Sequence, residues 1–71
     1  MLRYPIVIEK TKKNYSAYSP DLPGCVATGA TLTQTLSRMK SAIRFHLEGL
    51  KRQGEEIAEP STRVEYIEIA I

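Results

Sequence analysis

Apolar and polar positions change period along the chain, and each change predicts a boundary. From Leu2 to Glu9 the pattern alternates, with Leu2, Tyr4, Ile6 and Ile8 on one face and Val7 on the other. That is a strand. Pro5 lacks a ladder donor, so a bulge or a frayed start is expected there. Lys10-Thr11-Lys12-Lys13-Asn14 is a polar hairpin loop, and Tyr15 to Ser19 returns as a second strand with Ala17 facing opposite to Tyr18. Cys25 to Thr28 is a short third strand, with Gly29 predicted to break it. The period then becomes helical. Leu32, Leu36, Met39, Ile43, Leu47 and Leu50 fall at steps of three and four, one apolar stripe on a helix from Leu32 to about Gln53. Lys51 and Arg52 suit its last turn, and Gly54 suits the position after its end. Glu55 to Ser61 reads as a linker. Arg63 to Ile71 alternates again as a last strand, with Ile67, Ile69 and Ile71 on one face and Val64, Tyr66 and Ala70 on the other.

The segment Ser19-Pro20-Asp21-Leu22-Pro23-Gly24-Cys25 joins the second strand to the third. Two prolines exclude a regular ladder through it. Pro23-Gly24 suits the central pair of a type II turn, because proline pre-sets the first φ and glycine accepts the positive second one. Thr31, with Gln34 three residues on, is a capping box opening the helix. The predicted order is β-β-β-α-β in one α+β domain spanning residues 1–71, a four-stranded sheet covered on one face by one long helix. The last strand should return beside the first and parallel to it through a right-handed crossover.

Three blocks carry a resemblance: Tyr4-Pro5-Ile6-Val7-Ile8-Glu9, Ala17-Tyr18-Ser19-Pro20-Asp21-Leu22-Pro23-Gly24-Cys25, and Gly29-Ala30-Thr31-Leu32. Their order and spacing resemble the HicB antitoxin-like family over most of the chain. The resemblance implies a partial ribonuclease-H-like fold with sheet order 3-2-1-4. It also implies a partner, a small HicA-type toxin that cleaves mRNA and is neutralised when the antitoxin covers its catalytic surface. Longer members of the family carry a C-terminal DNA-binding domain; this chain stops at Ile71, so direct DNA binding by it is not expected.

Composition bears mainly on assembly. A chain of 71 residues has a small core, and chains of this size are commonly reinforced by disulfides, metal or a second subunit. Cys25 is the single cysteine, so no intrachain disulfide can form, and no Cys/His cluster suggests a metal. A homodimer or homotetramer is the remaining device. A lone cysteine suits a reducing cytoplasm. The first residues lack the apolar run of a secretory leader, and no stretch reaches membrane-spanning length. The net charge of +2 is spread along the chain rather than gathered in a stripe.

Catalytic candidates are sparse. His46 lies at the border of the apolar stripe with no partner to orient it. Cys25 reads as a small buried hydrophobe. The carboxylates Glu9, Asp21, Glu48, Glu55, Glu56, Glu59, Glu65 and Glu68 form no convergent set for a two-metal site. No catalytic residue, metal or cofactor is therefore expected. Lys10, Lys12 and Lys13 in the hairpin, Lys40, Arg44 and Lys51 on one helix flank, and strand residues Tyr15 and Tyr18 support an alternative reading, a stand-alone RNA-binding or RNA-processing module. The helix also shows a second feature. Arg38, Ala42, Phe45 and Gly49 share the side away from the stripe, and Gly49 costs a helix about 1 kcal/mol relative to alanine. This face is a candidate oligomer interface, unless Phe45 tucks under the linker around Ile57.

Overall fold

The structure is a computed structural model that describes residues 1–71. Three strands come first along the chain: β1 (Val7–Lys10), β2 (Tyr15–Tyr18) and β3 (Val26–Gly29). They make an antiparallel sheet in the order β1-β2-β3, with Val7 opposite Tyr18 and Tyr15 opposite Gly29. β1 starts only at Val7, past Pro5, whose missing donor keeps it out of the ladder. The hairpin Thr11–Asn14 is locked by Thr11, whose hydroxyl donates to Asn14 Oδ1 at 2.8 Å and accepts from the Asn14 amide at 3.1 Å.

The helix α1 runs Leu32–Arg52, one residue short of the predicted end, with Gln53 as its C-cap. At its start, Thr31 Oγ1 accepts from the Gln34 amide at 3.1 Å, and Gln34 Oε1 accepts from the Ala30 amide at 2.7 Å. The reciprocal bond of this box thus reaches one residue further back than the cap itself. At its end, Gly54 takes φ +72°, its amide donates to Lys51 O, and the Glu55 amide donates to Leu50 O. Those two bonds satisfy carbonyls that the helix would otherwise leave open.

Ile8, Ala17 and Ala27 form one cross-strand row on the helix side of the sheet. Two alanines in that row let the helix approach closely. Met39 inserts against Ala17, Leu22 and Cys25, which are the other buried hydrophobic residues of the core. α1 packs across β2 and β3 but not across β1. Gly29 departs from its predicted role: it is the last residue of β3 and does not break it. A Cβ there would lie 2.6 Å from Thr35 Oγ1 and 2.9 Å from the Thr35 amide nitrogen. The strand therefore passes directly under the first turn of the helix at the one residue without a side chain.

The larger departure is at the C-terminus. The expected fourth strand over Arg63–Ile71 is absent from the sheet, which has three strands and therefore lacks the 3-2-1-4 order. Residues 61–71 are all exposed. The Cα envelope measures 50 × 27 × 19 Å, long for so short a chain.

Candidate functional site

The joint between β2 and β3 folds as two consecutive turns. The Leu22 amide donates to Ser19 O at 3.2 Å, and the Cys25 amide donates to Leu22 O at 3.1 Å. Pro23 and Gly24 occupy the centre of the second turn, with Gly24 at φ +83°. The turns bury Leu22 and Cys25 into the core. Burial pushes the Cys25 thiol up, so it stays protonated and is a poor nucleophile.

Asp21, in the first of these turns, makes a long-range clasp. Its Oδ1 accepts from the Ser61 amide (3.1 Å), Ser61 Oγ (3.0 Å), the Thr62 amide (3.2 Å) and Thr62 Oγ1 (3.0 Å). Partial desolvation raises the Asp21 carboxyl, but the hydrogen bonds from Ser61 and Thr62 outweigh it and hold the carboxyl below its ordinary value. Beside the clasp, Tyr4 Oη donates to Ala58 O at 2.6 Å. Desolvation, together with the negative charges of Glu59 and Asp21, raises the Tyr4 phenol. Together these contacts pin the linker after α1 to the β2–β3 joint and to the approach of β1. No sequence pattern signals them, because Asp21 and Ser61 are forty residues apart.

Of the four residues proposed for an interface, three gather. Ala42, Phe45 and Gly49, with His46 and Leu50, form one wall of a groove of about 430 Å³ whose other wall is Gly24, Cys25 and Val26. Phe45 is 75% exposed. Ile57 borders Ile43 and Leu47 on a different flank, so the linker does not cover Phe45. A Cβ at Gly49 would meet no heavy atom within 4 Å, so nothing within the chain demands a glycine there. Arg38 is drawn elsewhere: its Nη1 donates to Thr28 O at 2.9 Å on the outer edge of β3.

The other candidates disperse. No three His, Cys, Asp or Glu side chains approach closely enough to hold a metal ion. Glu48 pairs with Arg52 one helical turn on, at 3.8 Å and in solvent. In the hairpin, Lys10 Nζ sits 5.7 Å from the centre of the Tyr15 ring, occupying one of its faces. No helix is long and apolar enough to cross a membrane.

Residues 4–69 match the family described as HicB_like antitoxin of bacterial toxin-antitoxin system. The chain belongs to the HicB-like antitoxin family. A 14.9 kDa protein from the rep-hol intergenic region of Haemophilus phage HP1 is 41% identical over 64 residues, which cover 90% of this chain and 48% of the phage protein. The chain thus spans about half the length of that relative. A UPF0150 protein of Thermoplasma acidophilum is 37% identical over 57 residues, covering 79% of this chain and 83% of that one. Among solved structures, a chain of a HicA3 and HicB3 toxin-antitoxin complex superposes with a TM-score of 0.70 at 32% identity, over 84% of this chain and 70% of that chain.

Proposed function

We propose that this protein is an antitoxin that neutralises a HicA-type mRNA-cleaving toxin by protein–protein binding. The observation that carries the reading is the likeness, in sequence and fold together, to a chain of a HicA3 and HicB3 toxin-antitoxin complex. The antitoxin acts as a binding partner and not as an enzyme. Its thiol is buried and held protonated, and its acids are dispersed. It works in the cytoplasm as a homodimer or homotetramer, in which the sheet is completed to four strands in a partial ribonuclease-H-like arrangement. The Ala42-Phe45-Gly49 groove is a contact face in this reading, because an exposed phenylalanine flanked by two small residues offers an anchor with room around it. Pro23 and Gly24 serve the fold, as does the cap formed by Thr31 and Gln34.

The test is co-expression with a HicA-type toxin encoded beside this chain. Restored growth, intact mRNA and a stable complex of the two proteins are the expected results. Persistent growth arrest with no complex would overturn the reading. Labelled RNA incubated with the antitoxin alone in Mg²⁺ or Mn²⁺ should remain uncut.

A further inference from the structure

We infer that the C-terminal segment Val64–Ile71 is an exchanged strand, which docks against the free edge of β1 in a second copy of the chain. Three unsatisfied features of the fold match one another.

The first is an edge. β1 bonds only to β2, and no side chain reaches its outer backbone groups. The outer edge of β3 differs, since Arg38 caps Thr28 O there. An open edge is a template for another strand.

The second is a groove beside that edge. Leu2, Tyr4, Ile6, Leu36, Met39 and Ile43 line an apolar trough of about 240 Å³ between the start of β1 and the helix. It exists because α1 covers β2 and β3 only, and Leu36 stays 43% exposed. A strand added to β1 would lie under this part of the helix, and the side chains of one of its faces would fill the trough.

The third is the tail. Tyr66, Ile67 and Ile69 are 92%, 84% and 76% exposed, and Val64 and Ile71 are exposed as well. Ile67, Ile69 and Ile71 alternate on one face, so the segment has the period and the β-branched residues of a strand without a sheet. Apolar residues in this density are not stable in water as a free end.

The clasp decides where the tail begins. Asp21 holds Ser61 and Thr62, and Arg63 lies beside Arg3, Tyr4 and Pro5 at the entry to β1. From that fixed point the tail departs from its own domain and leaves its own edge bare. Fully extended, the nine residues from Arg63 to Ile71 span roughly 30 Å, enough to run the length of a neighbour's β1. One chain therefore carries both halves of a self-complementary joint. Two copies related by a twofold axis satisfy both edges and both troughs at once.

Strand exchange does not involve the toxin, so it is tested on the antitoxin alone. Light scattering on the full chain at about 10 µM should give twice the chain mass of 8.0 kDa. The double variant Ile67→Lys/Ile69→Lys should fall to once that mass while keeping its helical circular dichroism, since the core Ala17, Leu22, Cys25 and Met39 excludes the tail. In a sample mixing isotope-labelled and unlabelled copies, contacts from the methyls of Ile67, Ile69 and Ile71 to those of Leu36 and Ile43 should appear between copies. A monomeric wild type overturns the inference. So does a dimer that survives the lysine substitutions, and so do tail contacts found only within one copy, which would mean that the segment folds onto its own β1.

Discussion

The Ser19–Cys25 joint and the Arg63–Ile71 tail are about the same length, and they illustrate opposite ways of holding a chain. The joint has few hydrophobic residues, yet it is ordered by bonds made within its own span. Two turns close on themselves, Gly24 takes the φ that the second requires, and Leu22 and Cys25 reach the core. The tail is rich in strand-forming residues, yet no partner within its own chain receives it. Turn chemistry is local and completes itself. Strand chemistry is relational: half of every ladder bond belongs to another segment.

The sharpest way to break this comparison is to truncate one apolar side chain in each region. Leu22→Ala should lower the unfolding free energy by about 2–5 kcal/mol, because Leu22 is 2% exposed and packed in the core. If the tail is held by a second copy, Ile69→Ala should cost less than about 0.5 kcal/mol in urea unfolding at concentrations low enough to dissociate the pair. Its cost should grow as protein concentration rises. An equal loss at every concentration would show that the tail is held within one chain.

Next in size are two glycines that are required for different reasons. Gly24→Val places a β-branched residue at φ +83° and should cost about 1–3 kcal/mol through strain alone, because no atom crowds that position. Gly29→Ala should cost a similar ~1–3 kcal/mol by steric conflict with Thr35. Thermal unfolding separates the two if Thr35→Ala, which removes Oγ1 but not the amide nitrogen, relieves part of the second and leaves the first unchanged.

Gly49→Ala sharpens the contrast from the other side. With open space around the site in one chain, it should stabilise the helix by about 0.5–1 kcal/mol. If the groove is a contact face, the same change reduces complex formation while raising the melting temperature. On the same condition, Phe45→Glu should leave the fold intact and weaken complex formation, read by co-purification and light scattering.

The smallest effect concerns the clasp. Asp21 has a lowered folded pKa, so its contribution is fully present above the ordinary carboxylate value near ~4 and is lost as pH falls through the lower folded value. Amide exchange at Ser61 and Thr62 should therefore accelerate below about pH 4 before the core opens. Unchanged protection in acid, or in Asp21→Asn, would show that the tail is rooted by something other than the carboxylate.

Much of this molecule is determined by sequence alone, where the controlling interactions lie within a few residues. Helical spacing from Leu32 to Leu50 places α1, and the alternation around Ile6 and Ile8 gives β1 its core-facing side. The three blocks around Pro5, Pro23-Gly24 and Gly29-Ala30-Thr31 indicate the family. What tertiary structure decided are the relations between distant segments. Asp21 meets Ser61 only because the helix returns the chain to the β2–β3 joint, and Arg38 turns to Thr28 because β3 ends beneath the helix. Alternation at Val64–Ile71 announces a strand, but periodicity specifies only which faces are apolar. It cannot name the edge that will receive them, and within a single chain no edge does.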